Sequence, residues 1–295
     1  MTEITTVGVA GGGLMGSGIV QVAAAAGYDV VCREVDATQC DRARTAVART
    51  LDKGVERGKL APLERDKALG RMRFVTDLSD LAAADLIIEA IIERLEDKVA
   101  LWSALDSVAR PVSIFASNTS SLSIAAQAAA SRRGDRFVGM HFFNPVPAMP
   151  LVEIVRTVTT SDATVDTARE FVRRLGKQYI EARDTPGFVV NRLLVPYMLD
   201  AIRALEQGTA SVQDIDAGMV LGAGHPMGPL ALCDYVGLDT LHRVAESMYH
   251  EYCETRFAPP PLLRRMVVSG MFGRKSGMGF YRYGGAEPVP NSIVG

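Results

Sequence analysis

Cysteine is scarce in this chain. Four of its 295 residues are Cys (Cys32, Cys40, Cys233 and Cys253), with no CxxC spacing among them, which excludes a disulfide scaffold. With only four histidines beside them, a structural zinc site lacks material, and no metal is expected. No apolar run approaches the roughly 18 residues that a membrane-spanning helix needs. The opening Met1-Thr2-Glu3-Ile4 lacks the basic and then apolar order of a secretory leader. The expectation is a cytoplasmic protein with no membrane partner. An excess of one charge is also lacking: 32 basic residues face 34 acidic ones, for a net charge of −2. Nothing global therefore draws the chain to nucleic acid. Internal repeats and low-complexity tracts are missing too. What remains is a globular composition, 48% hydrophobic and 22% charged, at a length that suits one large domain or two common ones.

The first two thirds of the chain alternate short β-branched runs with helical stretches. Residues 5–10 predict a strand, 14–26 a helix and 29–33 the next strand. Further strands are predicted at 73–75, 86–88, 112–115, 137–140 and 151–155, with helical patterns between most of them. Short, nearly all-apolar strands separated by helices imply a mainly parallel sheet covered on both faces, an α/β doubly wound fold of the Rossmann type. The character changes at Asp184-Thr185-Pro186-Gly187, because Pro-Gly breaks helix and strand alike. This divides the chain into residues 1–185, a Rossmann-like nucleotide-binding domain, and 186–295, a helical C-terminal domain. In the latter, 188–206 predicts a long helix kinked at Pro196. Ser211-Val212-Gln213-Asp214 resembles a capping-box start, and 230–254 and 261–269 continue the helical pattern. The last dozen residues, rich in Gly, Pro and Asn, are expected to fray.

Gly11-Gly12-Gly13-Leu14-Met15-Gly16 fits GxGxxG between a predicted strand and a predicted helix, the context that a dinucleotide-binding turn requires. Gly11 permits the tight turn, Gly13 lets backbone approach a pyrophosphate, and Gly16 lets helix and strand pack closely. The helix start, at Leu14 and Met15, presents unpaired N–H groups to phosphates. Glu34 ends the second strand, 23 residues after Gly11. An acid there accepts hydrogen bonds from both ribose hydroxyls and repels a 2′-phosphate, which favours NAD. Arg33 beside it can pair with a phosphate, so NADP stays open.

Other residues carry possible chemistry. Ser117-Asn118-Thr119-Ser120-Ser121 follows a predicted buried strand, at the carboxyl end where such sheets bind ligands. The same hydroxyls also suit the cap of a helix beginning near Leu122. His141 ends another apolar strand, where an imidazole can act as a general base near neutral pH. His242 and His250 fall inside predicted helices, and His225 in a Gly-Pro-rich loop. Glu153 is a carboxylate within an otherwise apolar strand and needs a partner if buried. A His141–Glu153 pair would fix the imidazole tautomer and stabilise its protonated form. Arg49, Lys53 and Arg57 are four residues apart and share one helix face. They form either a stripe for a ligand bearing several phosphates or a solvated surface face, which the interleaved Asp52 and Glu56 support. Asn191 lies inside the first helix past the boundary, where propensity does not account for it.

Together these segments resemble one family, the L-3-hydroxyacyl-CoA dehydrogenases, especially the short bacterial 3-hydroxybutyryl-CoA type. The matching stretches are the turn from Gly11 to Ile19, Ala116 to Leu122, His141-Phe142-Phe143-Asn144-Pro145-Val146-Pro147 and Thr185 to Arg192. His225-Pro226-Met227-Gly228-Pro229, Asp234-Tyr235-Val236-Gly237-Leu238-Asp239 and Gly273-Arg274-Lys275-Ser276-Gly277 also match, in family order, across roughly residues 5–283. The resemblance implies an NAD-dependent oxidoreductase acting on a short-chain 3-hydroxyacyl-CoA. It implies His141 as catalytic base, Glu153 as its orienting partner, and Ser120 and Asn191 at the reacting part of the substrate. Around the cofactor it points to Glu34, Glu93, Lys98, Ser120, Asn144 and Lys275. On the acyl-CoA side it points to Thr50, Arg57 and Ser120, with Lys53 beside them. Glu34 stands where many members have Asp, and Thr50 where some have Ser. The resemblance also implies a homodimer through the helical domain, to which the apolar runs at 219–221, 230–232 and 262–263 point as well.

Overall fold

A computed structural model of the chain describes residues 3–292. The chain forms two compact units that divide after Phe188. In the first unit the elements run β1 (Thr6–Ala10), α1 (Leu14–Ala25), β2 (Asp29–Arg33), α2 (Ala37–Glu56), α3 (Pro62–Gly70), β3 (Met72–Val75) and β4 (Leu86–Glu89). They continue with α4 (Leu95–Val108), β5 (Ile114–Ser117), α5 (Ile124–Ala128), β6 (Phe137–Phe142), β7 (Leu151–Arg156), α6 (Asp162–Arg174) and β8 (Gln178–Arg183). All eight strands join one sheet in the order β3-β2-β1-β4-β5-β6-β7-β8. Every neighbouring pair is parallel except β6 with β7. The connection from β6 to β7 spans only residues 143–150, too short for a parallel crossover. The strand order reverses between β1 and β4, and a crevice opens at their carboxyl ends.

The strands read as apolar throughout because both faces of the sheet are buried. Leu86 and Ile88 pack into one core cluster, and Ile87 between them into another. Ile114, Phe115 and Ala116 alternate in the same way. Trp102 of α4 seals the second cluster: its ring stacks on Phe115 at 4.9 Å and meets Phe137 edge-on at 4.8 Å. Its Nε1 donates to Gln127 Oε1 at 3.0 Å.

Two expectations for this unit need correction. The strand predicted at 112–115 begins later, at Ile114, because Arg110 to Ser113 form a turn closed by the Ser113 N–H on the Arg110 carbonyl. Ser117 is therefore the buried last residue of a strand. The sequence reading has no strand at β8, whose residues are all half-buried or exposed, as suits the edge of a sheet.

The second unit contains α7 (Val190–Glu206), α8 (Val212–Ala217), α9 (Pro229–Val236), α10 (Leu238–Tyr252), α11 (Pro261–Val268) and a small hairpin of β9 (Tyr281–Arg282) and β10 (Val289–Pro290). Ser211 caps α8 by accepting the Asp214 N–H at 3.1 Å. The helical pattern predicted over 230–254 is realised as two helices that meet at Gly237, whose φ of +98° suits glycine alone. The expected fraying is also overturned as far as residue 292. β10 pairs with β9, and buried Asn291 donates to the Gly279 carbonyl at 2.9 Å. Residues 293–295 lie outside the described residues. Of the apolar runs expected at a dimer face, Leu230 and Leu263 instead fill the unit's own core, whereas Leu221 is exposed. Among the described residues no helix is long and apolar enough to cross a membrane.

Candidate active site

The turn from β1 into α1 is built on three glycines with different duties. Gly11 has a φ of +96°, and a Cβ there would stand 2.7 Å from the Ala90 carbonyl oxygen. A Cβ on Gly16 would stand 1.7 Å from the Gly11 carbonyl oxygen. Around Gly13, by contrast, there is open space. Gly13 is the N-cap of α1 and supplies no side-chain cap, so the first-turn N–H groups lack intrahelical partners. Leu14 is exposed and Met15 half-buried. Glu34 Oε1 accepts the Gly12 N–H at 2.5 Å and Oε2 the Val35 N–H at 3.2 Å, which holds the acid at the rim of the turn. Arg33 directs its Nε to the Thr76 carbonyl at 3.1 Å. A cavity of about 560 Å³ opens here, lined by Gly11, Gly13, Arg33, Glu34, Ala90 and Ile91 among others. An open cradle, a helix N-terminus and an acid at one end fit a dinucleotide whose ribose hydroxyls are free.

Across the switch point, at the ends of β4 and β5, lies a ring of charge and hydroxyls, with Glu89 and Lys98 buried and Glu93 half-buried. Glu89, fully buried, accepts Lys98 Nζ at 2.5 Å and the Ile91 N–H at 2.8 Å on Oε1, and the Ser117 hydroxyl at 2.6 Å on Oε2. Lys98 Nζ also pairs with Glu93 Oε2 at 3.1 Å. Glu93 Oε1 accepts the Thr119 hydroxyl and the Ser120 N–H, the latter at 3.1 Å. The Thr119 N–H closes the ring on Ser117 Oγ at 3.3 Å. Lys98 is 1% exposed, and its ammonium sits between two carboxylates. Sequence reasoning passed over Glu89. Its signal was the same as that of Glu34, an acid closing an apolar strand. The hydroxyl segment divides its labour: Thr119 Oγ1 accepts the Leu122 N–H at 3.0 Å and Ser123 caps α5, while Ser117 turns inward.

His141 and Glu153 are cross-strand partners in the antiparallel β6–β7 ladder. Their side chains meet at 2.6 Å, Nδ1 to Oε2, and both are buried. With Nδ1 occupied, Nε2 is the nitrogen left for chemistry. The imidazole is flanked by the Phe143 ring at 4.5 Å and the Phe188 ring at 5.7 Å. Asn144 is exposed in the loop that follows β6. Lys177 straps that loop from below, donating from Nζ to the Val146 carbonyl at 2.6 Å and the Met149 carbonyl at 2.7 Å. Burial pulls the Lys177 pKa below the usual lysine range. Asn118 Oδ1 accepts the Phe142 N–H at 2.9 Å, tying the segment that carries Ser120 to the strand that carries His141.

Arg49, Thr50 and Lys53 lie exposed on α2, with Arg57 directly after it. Thr50 donates its hydroxyl to the Ala46 carbonyl at 2.9 Å. Asp52 pairs with Arg65 at 3.1 Å instead of with the basic stripe. Among the described residues, no carboxylate lies within ion-pair distance of Arg49, Lys53 or Arg57. The three basic side chains are exposed, as both the ligand stripe and the solvated face require. Asn191 and Lys275 belong to the helical unit: Asn191 is the second residue of α7, and Lys275 Nζ is held by the Asp239 carboxylate at 2.5 Å and 2.6 Å.

Comparison with known proteins adds the following. Residues 6–185 match the family model described as 3-hydroxyacyl-CoA dehydrogenase, NAD binding domain, and residues 187–283 the one described as 3-hydroxyacyl-CoA dehydrogenase, C-terminal domain. The chain is 48% identical over 282 residues to a 3-hydroxybutyryl-CoA dehydrogenase of Mycobacterium tuberculosis, covering 95% of this chain and 99% of the relative. It is 44% identical over 282 residues to the mitochondrial hydroxyacyl-coenzyme A dehydrogenase of Homo sapiens, covering 93% and 90%. The crystal structure of (S)-3-hydroxybutyryl-CoA dehydrogenase PaaH1 from Ralstonia eutropha superposes with a TM-score of 0.92 at 43% identity, covering 96% of this chain and 100% of that one.

Proposed function

Because the chain belongs to the 3-hydroxyacyl-CoA dehydrogenase family, we propose that it interconverts (S)-3-hydroxybutyryl-CoA, or a short-chain homologue, and the matching 3-oxoacyl-CoA. It is an NAD-dependent dehydrogenase with an NAD-binding domain over residues 6–185. The observation that carries the proposed mechanism is the buried His141–Glu153 pair at 2.6 Å. In the oxidative direction His141 Nε2 takes the proton as the substrate O–H bond breaks, and the C3–H electron pair leaves as hydride while the C3 carbonyl forms. NAD+ supplies the hydride acceptor at C4 of its nicotinamide. Glu153 accepts the Nδ1–H and offsets the charge of the imidazolium, which then releases its proton to water. In the reverse direction protonated His141 is the acid. Ser120 orients the 3-oxygen, a proximity effect. Glu34 serves the adenosine ribose, which favours NAD over NADP.

The family resemblance assigns Asn191 to the substrate and Asn144 and Lys275 to the cofactor. Thr50, Lys53 and Arg57 serve the phosphates of CoA, a role supported by the lack of any carboxylate paired with the two basic side chains. The reading extends to a cytoplasmic homodimer in which a second copy covers exposed Leu193, Leu221 and Val268 of the helical unit.

The test is absorbance at the reduced-nicotinamide band with acetoacetyl-CoA, run with NADH and NADPH in parallel. Rapid loss with NADH is expected. Loss with NADPH alone would make Arg33, and not Glu34, the residue that sets cofactor choice. No loss with either, from folded protein that binds NADH, would overturn the proposed substrate.

A further inference from the structure

We propose that Phe188 is a positioning residue for proton transfer, its buried ring fixing the direction in which His141 Nε2 points. The Glu153 carboxylate holds Nδ1 at 2.6 Å, but a single hydrogen bond leaves the imidazole free to tilt about it. The direction of Nε2 is then decided by what packs against the ring. Two aromatic rings do so, Phe143 with its centroid at 4.5 Å and Phe188 at 5.7 Å. Phe143 follows His141 closely in the chain and moves with it. Phe188 is the last residue of the unit and supplies an independent wall.

The backbone shows that the ring is held there against local preference. Phe188 has a φ of +47°, and among the described residues only Cys253 is another non-glycine residue in that left-handed region. The conformation disfavours any residue with a Cβ, and Phe has no short polar side chain to offset it with a local hydrogen bond. The turn alone would be better served by glycine, as at Gly187 with its φ of +80°. A residue kept in such a conformation must be over-determined by its surroundings. Asp184 anchors the turn, accepting the Ile124 N–H at 2.9 Å, the Ala125 N–H at 2.7 Å and the Ser123 hydroxyl at 3.2 Å. The Phe188 N–H closes on the Thr185 carbonyl at 2.8 Å. Its ring, 3% exposed, shares a core cluster with Ile124, Phe115 and Phe137. Ile124 in turn lies against the strand of His141, since a Cβ on Gly139 would stand 3.0 Å from its Cδ1. Anchor, turn and ring thus brace one wall beside the imidazole.

The inference rests on His141 as the proton-transfer residue of the proposed function. The experiment is steady-state turnover of acetoacetyl-CoA with NADH, in H2O and in D2O, on the full chain and its variants. Phe188→Leu stays apolar but removes the ring, so kcat should fall about 10- to 100-fold, as for a reacting group displaced by about 1 Å. KM for acetoacetyl-CoA and the Kd of NADH should stay within about twofold of wild type. The solvent deuterium isotope effect on kcat should rise, because proton transfer becomes the slow step. Phe115→Leu makes the same change in the same cluster, at a ring that meets Trp102 and Phe137. It should lower the melting temperature yet leave kcat within about twofold. Phe188→Met, more adaptable in a core, decides the matter if Phe188→Leu does not fold. A retained kcat, or a fall that Phe115→Leu matches with the isotope effect unchanged, would reduce Phe188 to core packing and overturn the proposal. Turnover that survives His141→Gln would refute the catalytic reading and this inference with it. Turnover lost in His141→Gln but kept in Phe188→Leu would overturn the role of Phe188 alone.

Discussion

Replacing Lys177 by Met removes the strap beneath the loop that follows His141 while keeping most of the side chain's length. The ammonium donates to two main-chain carbonyls, of Val146 and Met149, at 2.6 Å and 2.7 Å. Hydrogen bonds from a charged donor contribute about 1.5–3 kcal/mol each. Lys177→Met forfeits both but also relieves the desolvation of the ammonium, which is what pulls the Lys177 pKa down. The net loss should be about 2–4 kcal/mol. For a unit of this size that lowers the melting temperature by roughly 5–12 °C.

A second signature comes from pH. Between the lowered folded pKa of Lys177 and its unfolded value, the unfolded chain binds more protons, so wild-type stability gains from Lys177 as the pH rises through that window. The Lys177→Met protein should lack this gain. A third readout is NADH affinity, which should weaken because Asn144 sits on the loosened loop. Melting by circular dichroism at several alkaline pH values, with NADH titrations, checks all three. A melting temperature within about 2 °C of wild type, with the alkaline gain intact, would show that the carbonyls find other donors and that the strap is idle.

His141→Gln should keep the fold and NADH binding but lower turnover of acetoacetyl-CoA by about 10²–10⁴-fold; near-normal turnover would remove His141 from proton transfer. Gly16→Ala places a Cβ 1.7 Å from the Gly11 carbonyl oxygen, so NADH binding measured by fluorescence should be lost. Wild-type affinity would show that the turn can open without penalty. Burial pushes the Asp85 carboxyl up, but the Thr6 and Thr5 N–H groups, the Thr5 hydroxyl and Arg110 outweigh it and hold its pKa below the usual carboxylate range. Its stabilising effect is thus present above the unfolded pKa and fades as the pH falls through the folded one. Urea unfolding should show Asp85→Asn less stable than wild type at pH 7, with the gap narrowing below about pH 4; a gap independent of pH would contradict this.

Much of the site was legible because its residues interrupt apolar strands. Glu34, His141 and Glu153 stand out as polar groups where a buried sheet predicts none, and Gly11, Gly13 and Gly16 carry a spacing with a steric meaning. Glu89 offered the same kind of signal, but its partners lie on α4 and β5, and pairings across the sheet leave no local pattern. Lys177 was invisible for a related reason: a lysine following Gly176 reads as surface, and only the tertiary fold brings it under the loop. The helix break at Gly237 was hidden because Tyr235, Val236 and Leu238 continue an apolar run in the sequence, although Tyr235 and Val236 are exposed in the structure. β8 escaped because an edge strand with half-exposed side chains lacks the apolar signature of its buried neighbours. Burial and turn chemistry are written locally, whereas the choice of partner is settled at long range.

The pairing of His141 with Glu153 through a β ladder has a consequence for insertions. The distance between the two groups is held by strand register and not by the length of the intervening loop of residues 143–150. Changes in the exposed part of that loop can therefore leave the pair intact, whereas Val146, buried and strapped by Lys177, ties its middle to the core. The vulnerability lies elsewhere: a one-residue insertion within β7 upstream of Glu153 would turn that carboxylate to the opposite face of the sheet. An insertion in the loop should therefore spare the pairing itself, whereas one a few residues later, past the start of β7, should separate the two side chains.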